Sequence, residues 1–110
     1  MAAHQAGERL GGAERRELRR QAHALHPVVH LGGAGVTDAL IGAVDRALED
    51  HELIKLRLVG ERDERQQVAE EVASRTGSEL AGLVGRVAIL YRPASDPERR
   101  RIDPRRRSAR

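Results

Sequence analysis

The chain contains no cysteine, which excludes disulfides, thiolate metal sites and cysteine nucleophiles together. Aromatic residues are almost as scarce: Tyr91 is the single one, with no Trp or Phe. A nucleic-acid reader that stacks bases on several exposed rings is therefore ruled out. No apolar run approaches the roughly 20 residues of a membrane span. The opening MAAHQAGERL lacks the hydrophobic stretch of a secretory signal. The sequence thus predicts a soluble cytoplasmic protein without membrane contacts, and its 110 residues a single domain with a modest core.

What the chain does have is charge, unevenly placed. Residues 1–30 carry five Arg against three acids, residues 31–91 seven Lys/Arg against eleven acids, and residues 92–110 eight Arg against three acids. Cationic ends on an acidic middle point to a polyanion partner, because phosphate contacts release counterions and give sequence-independent affinity. Nineteen of the twenty cations are Arg, which forks onto phosphate oxygens where Lys acts as a point charge. A GC-rich genome also favours Arg over Lys, so the clustering carries more weight than the abundance.

Residues 1–9 read as a flexible leader. From Ala13 to Leu25 the spacing of Leu18, Ala22 and Leu25 predicts a helix, with Arg15, Arg16, Arg19, Arg20 and His23 on its opposite face. Pro27 stops it. Val28–Leu31 is a short strand running into Gly32-Gly33-Ala34-Gly35. Thr37 suits an N-cap with Asp38 behind it, opening a second helix that ends near His51 and buries Leu40, Ile41, Val44, Ala47 and Leu48. Leu53–Val59 alternates, with Ile54, Leu56 and Leu58 on one face and Lys55 and Arg57 on the other. Asp63 and Gln66 resemble a capping box for a third helix, which ends at Thr76 before Gly77. Leu80–Val84 and Val87–Tyr91 flank Gly85-Arg86, a type II′ hairpin turn. The order helix-strand-helix-strand-helix-strand-strand predicts a small layered α/β domain with a four-stranded mixed sheet. Beyond Pro93 the chain is Arg-rich and nearly devoid of apolar residues, so residues 94–110 are expected to be a disordered tail.

The glycine loop is the most informative segment for function. Three glycines between a strand and a helix start let backbone N–H groups approach a phosphate unobstructed. A P-loop is excluded, since Val36 and Thr37 follow Gly35 where Lys and Ser/Thr are required. The dinucleotide fingerprint fails at Asp38, which stands where its last glycine should be. What remains is G-x-x-G, the backbone clamp of KH-type RNA-binding domains. Gly82-Leu83-Val84-Gly85 matches the same pattern inside the predicted hairpin and reads as structural.

His23, His26 and His30 invite a metal hypothesis, but Pro27 splits them and no neighbouring carboxylate or Cys completes a set. Scattered polar histidines are the better account. No serine has nucleophile context, and the acids lie on amphipathic helix faces. Neither an enzyme, nor a cofactor, nor a small-molecule substrate is expected. Lys55 and Arg57 are peripheral contacts at most.

The runs LHPVVHLGGAGVT (25–37, after Ala22-His23), LEDHELIKL (48–56) and ILYRP (89–93) together resemble the CRM (chloroplast RNA splicing and ribosome maturation) domain in its stand-alone bacterial, YhbY-like form. The likeness covers about residues 10–93. It implies a fold similar to the C-terminal domain of bacterial translation initiation factor three. It also implies RNA binding, with ribosomal RNA in large-subunit precursors as partner and ribosome assembly as the process. The family's glycine loop falls on Gly32, Gly33, Ala34 and Gly35, and its basic first helix on the Arg15–Arg20 stretch. His26 stands where the family usually has Lys, and Val36 where it usually has Leu. The expected RNA-binding set is thus Gly32–Gly35, Arg15, Arg16, Arg19, Arg20, His26, Lys55 and Arg57, in a monomer. The competing class is a protein-interaction module whose acidic middle binds a basic ribosomal or assembly protein, with RNA affinity incidental to the tail.

Overall fold

The computed structural model describes residues 10–105, so the leader 1–9 and the last five residues lie outside it. The elements run α1 (Gly12–Ala22), β1 (Val29–His30), α2 (Asp38–His51), β2 (Leu53–Arg57), α3 (Arg62–Thr76), β3 (Glu79–Val84) and β4 (Val87–Tyr91), followed by a 3-10 turn at Pro97–Arg99. The sheet order is β1-β2-β4-β3. β1 runs parallel to β2, with Val29 opposite Leu56 and His30 opposite Arg57, while β2–β4 and β3–β4 are antiparallel. This is the mixed four-stranded α/β architecture expected from the sequence. Among the described residues no helix is long and apolar enough to cross a membrane.

Both faces of the sheet are covered. On one, α2 and α3 bury Leu40, Val44, Leu48, Ala69, Val72 and Ala73 against Ile54, Leu56, Leu58, Ala88 and Leu90. On the other, α1 places Leu18 and Ala22 over Leu53, Ala81, Ile89 and Tyr91, with Leu10 completing the cluster. The alternation of β2 assigns only one of these faces; Leu53 is buried on the second because α1 lies there.

Local chemistry explains most boundaries. The Thr37 hydroxyl accepts the Leu40 N–H at 3.0 Å, a side-chain cap at the start of α2. α3 starts earlier than Asp63: its N-cap is Glu61, whose N–H donates to the carboxylate of Glu64 at 2.8 Å, so the reciprocal pair is Glu61–Glu64. Gly77 closes α3 in the left-handed region at φ +66. Gly85 has φ +59, the value a type II′ turn needs at its first central position. α1 ends three residues before Leu25, which is 38% exposed. The Lys55 ammonium donates to the carbonyls of His23 and Leu25 at 3.4 and 2.9 Å, holding the chain where it leaves the helix.

The segment after Pro93 departs from the expected disorder as far as residue 105. Ala94 and Pro104 are buried and Ile102 packs against the α1-side cluster. The anchor is Glu52, a residue 2% exposed with φ +67. Its carboxylate accepts the N–H groups of Ala94, Arg101 and Ile102 at 2.7, 2.6 and 2.9 Å. Charge-assisted bonds of this kind are about twice as strong as neutral ones, and they offset the low apolar content of the segment. The Gln21 amide donates to Asp103 O and Arg105 pairs with Glu14 at 2.8 Å, so the strap finishes along one flank of α1.

Candidate nucleic-acid interface

The glycine loop forms a β-turn in which the Gly35 N–H donates to Gly32 O at 3.1 Å. Gly35 has φ +79 and so needs glycine for its backbone. Gly32 and Gly33 do not: neither has positive φ, and a Cβ at either would meet nothing within 4 Å. The fold leaves these positions open, and a Cβ there would obstruct only something approaching from outside. The N–H groups of Gly33 and Ala34 make no hydrogen bond among the described residues. The turn stands directly before the capped start of α2, where partial positive charge gathers. Asp38 in that first turn is paired with Arg75 at 3.0 Å, which offsets its repulsion of an anion.

α1 turns its two polar flanks to different neighbours. Glu14, Glu17 and Gln21 face the strap or each other's partners. Arg16, Arg19, Arg20 and His23 face the other way, onto a groove of ≈ 800 Å³ completed by Pro27, Lys55, Arg57, Val84, Val87 and Ile89. No Asp or Glu lines it. The side chains of Arg16, His23 and Arg57 have no hydrogen-bond or ion-pair partner among the described residues.

The expected basic set is thereby sorted. Arg16, Arg19, Arg20, Lys55 and Arg57 converge on the groove, whereas Arg15 and His26 do not line it. Arg15 donates to Leu10 O. Lys55 is occupied in holding the end of α1. Arg20 is bonded to Glu17 at 2.6 and 3.0 Å; that hydrogen bond raises the guanidinium pKa, as does the Glu17 charge. Arg19 lies across β3, donating to Ala81 O at 2.8 Å. The space for it comes from Gly82, where a Cβ would sit 2.6 Å from Arg19 Cδ. The second G-x-x-G copy is structural, as read from the sequence: Gly82 seats Arg19 and Gly85 makes the hairpin turn.

The groove and the glycine turn adjoin at Arg57. The Leu31 N–H donates to Arg57 O at 2.8 Å, and the turn starts at the next residue. His30, the register partner of Arg57, is exposed on the same side of the sheet, since Val29 packs into the opposite core. Sequence reasoning missed His30 and the aliphatic floor of Val84, Val87 and Ile89. Period-two alternation marks the latter only as strand residues; that Ile89 is buried while Val84 stays exposed depends on how far α1 reaches across the sheet. Among the described residues no group of three or more His, Asp or Glu is placed to hold a metal ion.

Among the described residues, Arg92 and most of the arginines that follow it are occupied within the domain. Arg92 pairs with Asp45 at 2.7 Å and with Glu49 at 3.6 Å, and Arg99 with Glu49 and Asp50. The Ser95 hydroxyl, its amide N–H, and then the charges of Arg92 and Arg99 lower the pKa of Glu49. Part of the acidic middle is thus covered by the chain's own cations.

The chain is similar to known proteins over most of its length. The CRS1/YhbY (CRM) domain matches residues 10–92. An RNA-binding protein of Haemophilus influenzae is 33% identical over 88 residues, which is 79% of this chain and 89% of that protein. A probable RNA-binding protein of Bacillus subtilis is 34% identical over 88 residues, 79% of this chain and 92% of the relative. The solution structure of a hypothetical Staphylococcus aureus protein, a candidate RNA binder, superposes with TM-score 0.74 at 29% identity, covering 86% of this chain and 99% of that one. The chain belongs to the CRS1/YhbY (CRM) domain family.

Proposed function

We propose that this protein binds RNA without catalysing a reaction, and that its target is ribosomal RNA in precursors of the large ribosomal subunit. The observation that carries the RNA reading is the glycine turn: two glycines the backbone does not require, with free N–H groups at Gly33 and Ala34, beside a groove to which Arg16 and Arg57 present unpaired guanidinium groups. Relatives named as RNA-binding proteins, matched over most of their length, support it. The ribosomal target rests on the resemblance to stand-alone bacterial members of the family. Backbone N–H groups of Gly33 and Ala34 hold phosphate oxygens, and Arg16 and Arg57 add charge-assisted contacts. Arg19, Arg20 and Lys55 contribute field while remaining bonded within the domain. The competing reading, an acidic surface for a basic protein, is weakened because Asp38, Asp45, Glu49 and Glu52 are already engaged.

Gradient sedimentation of a lysate containing tagged protein tests the assignment. Wild type is expected in large-subunit precursor fractions, and Gly33→Asp/Ala34→Asp, which the open space at Gly33 tolerates, at the top of the gradient while still folded. Wild type at the top of the gradient would refute the ribosomal target.

A further inference from the structure

The groove under α1 has two chemistries. Its sides are cationic, with Arg16, Arg20 and His23 from the helix facing Arg57 from β2; its floor is aliphatic, built from Val84, Val87 and Ile89. Val84 is 60% exposed, an unusual position for an apolar side chain on a strand otherwise covered by a helix. Arg19 is fixed at both ends of its side chain, the stem over Gly82 and the guanidinium on Ala81 O. Phosphate binding alone explains the sides but gives no reason for the floor. A ligand matching the whole groove has a flat apolar face with anionic groups to either side.

We propose that the groove seats an unstacked nucleotide of a single-stranded RNA segment, base face on Val84 and Val87, with the buried Ile89 behind them, beside the fixed Arg19, with flanking phosphates on Arg16 and Arg57. The proposal rests on the RNA-binding reading above and adds where a base goes. Its ≈ 800 Å³ falls in the range of about 300–1,000 Å³ typical of small-ligand sites. The ligand is single-stranded, because in a duplex the base faces are stacked on one another and cannot reach an aliphatic floor. The strand continues past Arg57 and His30 to the glycine turn, one connected path. Stacking on this floor is tolerant of sequence because every base has an apolar face; no Asn, Gln, Asp or Glu lines the groove, so base edges meet only Arg, Lys and His groups there. An aliphatic floor takes the part that Phe, Tyr or Trp rings play elsewhere, in a chain whose one such ring, Tyr91, is buried.

Methyl and amide NMR of the full chain, titrated with a short single-stranded oligouridylate, tests this. The methyl groups of Val84 and Val87 and the amides of Gly33 and Ala34 are expected to shift together. Arg16→Glu/Arg57→Glu, at two exposed residues without described partners, should abolish the methyl shifts and weaken binding roughly tenfold or more. A duplex RNA should shift the turn and leave the methyls unmoved. Oligouridylate shifts confined to the turn, or duplex RNA moving the same methyls, would overturn the groove assignment and leave the RNA reading standing. No interaction with any RNA would overturn both. Methyl shifts produced by polyglutamate and not by the oligouridylate would assign the groove to an acidic protein segment instead.

Discussion

The carboxylate of Glu52 accepts the backbone N–H of Ile102, 50 residues further along the chain, at 2.9 Å. The same carboxylate takes Ala94 and Arg101, so a single side chain gathers the segment that follows β4 and lays it across the α1 face. That face carries the groove on its other flank, and the seating of α1 therefore depends on a residue that touches no ligand in this account.

Glu52→Gln keeps the shape but leaves one acceptor oxygen and turns an amide N–H₂ toward backbone donors. Leaving a buried donor unsatisfied costs about 1–3 kcal/mol, so urea denaturation should show a loss of about 2 kcal/mol, and limited proteolysis a new cleavage after Pro93. Unchanged stability with a protected C-terminal segment would mean that the strap is held by its other contacts, those of Ser95, Arg99, Ile102, Asp103 and Arg105.

Gly82→Ala places a Cβ 2.6 Å from Arg19 Cδ. Arg19 is long and flexible enough to swing away, so the domain should keep its stability to within about 1 kcal/mol, the lost hydrogen bond being offset by the lower chain entropy of Ala. Affinity for single-stranded RNA should fall several-fold. The paired readouts are thermal unfolding and RNA titration; full RNA affinity with Arg19 displaced would remove it from the binding surface.

Tyr91 is the only tyrosine, so tyrosinate absorbance reports one group. Burial, reinforced by the charges of Glu52 and Asp103, pushes its phenol up to about 12. The folded pKa lies above the unfolded value of about 10, so this stabilisation is complete below pH 10 and is lost as pH rises toward 12. Over that window stability should fall by about 1.4 kcal/mol per pH unit from this group. Ionisation near pH 10 in the folded protein would show that Tyr91 is not buried in solution.

The sequence is informative where structure is local. Thr37, Gly77 and Gly85 mark their own caps and turn, and Ile54, Leu56 and Leu58 mark one buried face. The strap was invisible because Ile102 is a lone apolar residue in an Arg-rich run, and its binding partner is Glu52, half the chain away. Lys55 and Arg19 look like surface cations in sequence, yet each bonds a carbonyl far along the chain: Leu25 for Lys55 and Ala81 for Arg19. The glycine turn was legible as a pattern; that Gly32 and Gly33 are free of any backbone requirement is a fact of three dimensions. The groove needed the sheet and α1 together.

Equilibrium binding of single-stranded RNA across a salt series, with wild type beside Gly33→Asp/Ala34→Asp, shows whether the glycine turn holds RNA through its phosphates. With about six phosphates contacted, log K should fall against log salt with a slope of roughly −4, and the variant should bind weakly at every salt concentration while remaining folded. A flat salt response, or a folded variant that binds as wild type does, would contradict the account.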